Sequence, residues 1–111
     1  MGIDRATAAA ALPDVPREDV AMPELGGDVC VRGLMLRDRM TLIATLRNDE
    51  GQSYASLARL LHLAAVGPDD KPLLTETEWE RFGGAHFDAA LRLFSVAKRL
   101  SGLDAEVVEK N

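Results

Sequence analysis

The stretch from Ala85 to Leu103 constrains the fold more than any other part of the chain. Polar residues recur there at Asp88, Arg92, Ser95 and Arg99, a spacing that places them in one narrow stripe along a helix. An ordinary surface helix buries one apolar stripe and exposes the opposite face, but here apolar residues border the polar stripe on two flanks. This pattern predicts a central helix, or a helix that shares its second flank with another chain. The first flank consists of Phe87, Leu91, Phe94 and Ala97, and the second of Ala90, Leu93, Val96 and Leu100.

The predicted end of this helix is clear. Gly102 stands where a left-handed residue is wanted after a last turn, and Leu103 can fold back onto that turn. Lys98 and Arg99 lie in the same turn, where the helix dipole favours cations.

Length and charge limit the class of protein. A chain of 111 residues fits one domain, and a net charge of −5 with scattered arginines gives no basic footprint for nucleic acid. Cys30 is the only cysteine, so neither a disulfide within the chain nor a cysteine-based metal site is expected, and a reducing cytoplasm is the default. No apolar run approaches a membrane span. We therefore expect a cytoplasmic protein that binds neither nucleic acid nor membrane.

The N-terminal region predicts an arm followed by a hairpin. Residues 1–17 contain an alanine-rich stretch that Asp4 can cap and Pro13 would end, and we expect this arm to be mobile or to dock only on a partner. Alternating residues around Gly26-Gly27 predict a β-hairpin over 19–34 with a two-residue turn. Pro23 cannot donate to a strand ladder, so the first strand should be an edge.

The rest of the chain has helical periods. Helices are expected at about 36–47, 53–65, 76–83 and 85–101, with a short one at 104–110. The first should turn Leu36, Met40, Ile43 and Ala44 inward, and Ser53 should cap the second. Thr75 and Glu78 have the spacing of a capping box, and Gly83-Gly84 should end the helix that this box opens. Residues 18–111 should thus form a single α+β domain, with the N-terminal hairpin packed on about four helices.

No catalytic constellation emerges from the residues. His62 and His86 lie among apolar neighbours without a second ligand one turn away, which is typical of structural histidines. Asp69 and Asp70 fit a turn better than a carboxylate pair, and Cys30 fits a small buried hydrophobe. We expect a non-enzyme that uses no metal and no cofactor.

The surplus of apolar surface predicts self-association instead. The hairpin edge and the second flank of the central helix are the expected contacts between copies or with a partner. The candidate interface residues are Val20, Met22, Val29, Val31, Leu93, Val96 and Leu100.

Three stretches in order resemble one protein family. They are VAMPELGGDVCVRGL at 20–34, DDKPLLTETEWERFG at 69–83 and AALRLFSVAKRLSGLDAEVVEKN at 89–111. Their order and spacing resemble the tail assembly chaperones of long-tailed bacteriophages and prophages of the HK97-like siphophage type. Leu25 departs from the family, which often has Trp there, and Met35-Leu36 replaces its usual Thr-Gly.

The resemblance implies a function. Such chaperones bind the long tape-measure protein, keep it soluble and help tail-tube subunits polymerise around it, and they are absent from the finished virion. Two other readings remain open. One is a structural head-tail or tail subunit of the virion. The other is an antitoxin-like regulatory adaptor, which is less favoured because the arm carries only Arg5 and Arg17 as cations.

Many members of this family are made in two lengths through a −1 ribosomal frameshift. The final residues Glu109-Lys110-Asn111 can be encoded by bases that contain a slippery heptamer. We therefore expect a longer product that continues in the −1 frame. The nine codon bases test this expectation directly.

Overall fold

A computed structural model describes residues 2–48 and 54–103 of the chain. The described residues form an α+β fold, as predicted, in which an antiparallel sheet packs on helices. In chain order the elements are α1 (Arg5–Ala10), β1 (Arg17–Met22), β2 (Gly27–Arg32), α2 (Leu36–Asn48), α3 (Tyr54–Ala64), β3 (Ala65–Val66), α4 (Glu76–Ala85) and α5 (Phe87–Leu100).

The hairpin is present, but its turn differs from the prediction. Met22 pairs with Gly27, and a 3-10 turn over Pro23–Leu25 followed by Gly26 connects the strands. Gly26 takes the left-handed backbone conformation, with φ 87°, which glycine adopts without steric cost. The loop therefore has four residues rather than two. It starts at Pro23, whose fixed φ suits the first position of such a turn.

The third strand was not expected. Ala65, which the sequence placed at the end of a helix, pairs with Val31, and Val66 pairs with Cys30. This short β3 leaves β1 at one edge of the sheet order β1-β2-β3, as Pro23 had suggested. The helix yields to a strand here because the free edge of β2 offers backbone partners, a tertiary cause that local sequence does not carry.

The start of α4 follows the prediction and its end does not. The Glu78 amide donates to Thr75 Oγ1 at 3.1 Å and the Thr75 amide donates to Glu78 Oε1 at 2.9 Å, which completes the capping box. The helix then continues through the predicted stop at Gly83-Gly84 as far as Ala85. Gly83 lies beside Ala90 of α5, so the two helices meet at this glycine.

Helix α5 is the centre of the fold. Ala89, Ala90, Leu93 and Ala97 are buried, whereas the predicted polar stripe is exposed. The stripe also holds the hairpin: Arg92 pairs with Glu24 at 3.1 Å and Arg99 pairs with Glu18 at 2.7 Å. These two ion pairs set β1 and its turn along α5, with the start of β1 beside the C-terminal end of the helix.

The end of α5 is the predicted glycine stop. The Gly102 amide donates to the Arg99 carbonyl at 3.2 Å and the Leu103 amide donates to the Lys98 carbonyl at 2.8 Å. Gly102 has φ 69°, and Leu103 is buried. This pair of hydrogen bonds is the Schellman motif. The predicted Ser53 cap and the predicted helix at 104–110 lie outside the described residues.

The predicted inward face of α2 is wrong at three of its four positions, and Ile43 alone of the four packs against the core. Leu36 and Met40 are exposed, as is Ala44, while Leu42 is buried. Arg39 Nη2 lies 3.4 Å from the Gly102 carbonyl, at the end of α5 where the helix dipole attracts a cation. That contact and Leu42 lie on one side of α2, so the apolar residues at 36, 40 and 44 point away from the core.

The arm contains the predicted short helix. The Thr7 amide donates to Asp4 Oδ1 at 2.8 Å, and this hydrogen bond lowers the pKa of the Asp4 carboxyl. No residue of α1 is buried. The sheet begins at Arg17, two residues before the predicted hairpin start, and the Gly33 amide donates to the Pro16 carbonyl just ahead of it.

Candidate partner-binding surface

The described helices leave an apolar groove between α3, α4 and α5. Its volume is about 390 Å³, within the range of ordinary ligand pockets. Glu80 is the only charged residue in the lining. A groove of this kind suits an apolar side chain or a helix face better than a polar small molecule. The lining residues are Leu57, Ala58, Trp79, Glu80, Gly83, Gly84, Phe87 and Ala90.

Two glycines create the space in the groove. A Cβ built on Gly84 meets no atom within 4 Å, and one built on Gly83 meets only the Ala90 Cβ, at 3.7 Å. Side chains as large as leucine at these positions of α4 would fill the groove, whereas a small side chain at Gly84 extends into open space. The glycine pair, which the sequence marked as a helix stop, therefore opens a recess beside α5.

The apolar surface continues from the groove along α5. Phe87 is 56% exposed and Leu91, one turn further, is 37% exposed. Phe94, at the next position of this flank, is half-buried, and the Lys98 Nζ lies 5.4 Å from its ring centroid. Lysine thus covers the third residue of the flank, while the first two remain open beside the groove.

Trp79 contributes a buried polar atom to the groove wall. Its side chain is fully buried, and its ring meets Phe82 edge to face at a centroid distance of 5.6 Å. The indole Nε1 has no acceptor among the described residues. A buried donor without an acceptor costs about 1–3 kcal/mol, and this nitrogen is buried behind the wall rather than open to the groove.

A second apolar surface lies on α2 and the residue before it. Met35, Leu36 and Met40 are 63%, 72% and 56% exposed. Methionine adapts its shape to irregular partners. This surface is the direct result of the orientation of α2 described above.

The interface residues predicted from sequence lie elsewhere. Met22, Val29, Val31 and Leu93 are at most 3% exposed and belong to the protein's own core. The other three, Val20, Val96 and Leu100, are half-buried and pack against that core.

The chain itself therefore covers the flank of α5 that was expected to face a partner, and the end of the hairpin meets it where Gly33 lies against Leu100. The exposed flank is the first one, at Phe87 and Leu91. A residue pattern defines how wide an apolar surface is, but it does not tell which side the rest of the chain covers. The signal that could have located the open flank is the Gly83-Gly84 pair next to Phe87.

Polar side chains away from these surfaces make structural contacts with other parts of the chain. Arg17 donates to both carboxylate oxygens of Asp70, at 2.7 and 3.1 Å; this contact lowers the pKa of Asp70 and raises that of Arg17. His62 Nδ1 lies 2.8 Å from the Leu74 carbonyl oxygen, as expected for a structural histidine. Within residues 2–48 and 54–103, no three histidine, cysteine or acidic side chains are grouped to hold a metal ion.

In the same ranges, no helix is long and apolar enough to cross a membrane. Comparison with protein-family models, curated proteins and solved structures finds no match to this chain.

Proposed function

We propose that this chain is a phage or prophage tail assembly chaperone that binds apolar helical segments of the tape-measure protein in the bacterial cytoplasm. It acts as a homo-oligomer without enzymatic activity, metal or cofactor, and keeps its partner soluble while tail-tube subunits assemble. One observation carries the proposal. The described residues of the three family-like stretches belong to a fold that exposes a continuous apolar surface, formed by the groove, Phe87 and Leu91.

The shape of this surface supports a helical partner. Amphipathic helices bind apolar grooves through anchors at i, i+3, i+4 and i+7. Phe87 and Leu91 are themselves one helical turn apart on α5, so a helix laid beside α5 would meet them together with the groove. Fully burying a phenylalanine or leucine side chain contributes about 1.5–3 kcal/mol. Two such residues and a filled groove suffice for weak, reversible binding.

The charge of the chain supports the solubilising role. The net charge is −5, and charge far from zero keeps proteins apart in solution. A long apolar helix covered by several copies would acquire a negative surface. The complex would then remain dispersed, which is the property a tape-measure chaperone must confer.

Co-expression tests the proposal. The tape-measure protein is produced with the wild-type chain, with Leu91→Glu or with Leu73→Glu, and its soluble fraction is measured. Leu73 is a matched control because it is 40% exposed against 37% for Leu91 and belongs neither to the groove lining nor to the flank of α5 that Phe87 and Leu91 form. We expect the wild type and Leu73→Glu to keep the partner soluble, and Leu91→Glu to fail while retaining its fold by circular dichroism.

Two outcomes contradict the proposal at different levels. A tape-measure protein that is equally insoluble with and without the wild-type chain contradicts the chaperone function. Rescue by Leu91→Glu equal to that by the wild type would contradict only the assigned surface. Recovery of the chain in purified virions would favour the structural tail subunit instead.

A further inference from the structure

The N-terminal arm has exposed apolar residues and no contact that buries them. Ile3 and Leu12, which flank α1, are each 76% exposed, and no residue of α1 itself is buried. The helix has six residues, whereas isolated helices shorter than about 12–15 residues are marginal in water. A surface that packs against the arm would stabilise it.

The groove beside α5 matches the arm in size and charge. The alanine-rich α1 has a thin profile, and the glycine pair of α4 lets a second backbone approach closely. Arg5 is the cation of α1, and Glu80 is the one charged residue of the groove lining. Arg5 can thus face Glu80 while Ile3 or Leu12 contacts Phe87.

The position of the arm favours a groove on another copy. The Glu18–Arg99 ion pair fixes the start of β1, and hence the root of the arm, at the C-terminal end of α5. The groove opens beside Phe87 at the opposite end of the helix. From Phe87 to Arg99, α5 is about 18 Å long at the α-helical rise. No described residue of the arm lines the groove of its own copy and α1 buries no residue there, so exchange between copies would cover both.

We propose that the arm of one copy, residues 3–12, docks in the groove of a second copy. The arms then link the copies into the homo-oligomer, and each arm covers a groove until a ligand with higher affinity displaces it. Displacement of the arm by a tape-measure helix rests on the function proposed above. The docking of the arm between copies does not depend on that function.

Crosslinking between full-length chains tests the contact. In a Cys30→Ser background, chains carrying Ala9→Cys are mixed with mass-tagged chains carrying Gly84→Cys, and a short bis-maleimide reagent is added. The matched control replaces Gly84→Cys with Gly27→Cys, because a Cβ at either glycine meets no atom within 4 Å. Each chain holds one cysteine, so every crosslinked species joins two molecules.

We expect the tagged–untagged species to form at least tenfold more with Gly84→Cys than with Gly27→Cys, and an added peptide of residues 2–16 to suppress it. Equal crosslinking at the two glycines, or none at Gly84, would overturn the proposal. So would a chain with both Ala9→Cys and Gly84→Cys that crosslinks only within itself, because that result places the arm in its own groove.

Sedimentation gives a second measurement on folded chains. The full-length variant Ile3→Glu, Leu12→Glu should sediment at its 12.0 kDa monomer mass, while the wild type sediments as a larger species. An unchanged oligomer in this variant would contradict the docked arm. Neither assay contains tape-measure protein. A negative result in these assays therefore contradicts the docked arm without contradicting the chaperone function, and a negative result in the co-expression test contradicts the chaperone function without contradicting the docked arm.

Discussion

Replacing Gly33 with alanine should disrupt the contact between the sheet and α5. A Cβ at Gly33 would lie 2.5 Å from the Leu100 carbonyl oxygen and 3.3 Å from the Pro16 Cδ. The first neighbour is helix backbone and the second is a ring next to the sheet, so neither can rotate away. On the far side of this junction, the Leu34 amide donates to the buried Ser101 Oγ at 3.1 Å. Separating the two elements would stretch that hydrogen bond as well.

The expected magnitude follows from two opposing terms. Overpacking a buried site costs about 1–3 kcal/mol. Alanine also restricts the unfolded chain more than glycine does, which raises the free energy of unfolding by about 0.4–1 kcal/mol. The free energy of unfolding of Gly33→Ala should therefore fall by about 1–2 kcal/mol. For a domain of this size that lowers the thermal midpoint by about 4–8 °C.

Gly84→Ala is the matched control for the same substitution. Its Cβ enters open space within α4, and alanine exceeds glycine in helix propensity by about 0.8–1.0 kcal/mol. Its midpoint should rise by about 4 °C. Thermal and urea unfolding followed by far-UV circular dichroism measure both variants. A Gly33→Ala midpoint at or above that of the wild type would refute the described packing of β2 against α5.

Two further predictions concern local contacts. Thr75→Ala removes the acceptor for the Glu78 amide and should lower the free energy of unfolding by about 1 kcal/mol. Thr75→Ser keeps a hydroxyl acceptor and should retain most of the stability of the wild type. Equal urea midpoints for the two variants would contradict the capping box. The Arg17 contact lowers the pKa of Asp70 below its ordinary value of 3.8, so its stabilisation is present above pH 3.8 and is lost as the pH falls through the lower, folded pKa. Asparagine tolerates the φ of 63° at this position, so Asp70→Asn tests the ion pair without straining the backbone. The variant should have a lower free energy of unfolding than the wild type at neutral pH, and that free energy should change less as the pH falls, as urea titrations across the range would measure. Parallel pH profiles of the two proteins would count against the ion pair.

The features that sequence predicted correctly depend on neighbouring residues. Thr75 and Glu78 lie one turn apart, and both halves of their capping box are local backbone contacts. Gly102 ends α5 because the next residue must fold back on the same helix. The hairpin follows from the alternation of its two strands around Gly26-Gly27, although the sequence assigned Met22 and Val31 to an interface and the structure buries them in the core. Such signals need no knowledge of the remaining chain.

The features that sequence missed depend on distant elements. Leu42 is buried instead of Met40 because Arg39 contacts the end of α5. Ala65 enters a strand because β2 has a free edge. Leu93 is core rather than interface because other elements of the chain bury it completely. In each case two arrangements satisfy the local pattern equally, and a contact from another part of the chain selects one.

The position of Trp79 gives the protein an optical reporter of its own groove. It is the only tryptophan in the chain, so the emission excited at the indole band comes from this single site. The ring is fully buried and forms part of the groove wall. Its emission should shift to longer wavelength when water reaches it on unfolding. A chain that enters the groove instead changes the intensity without that shift, so one unlabelled sample can distinguish occupancy from denaturation.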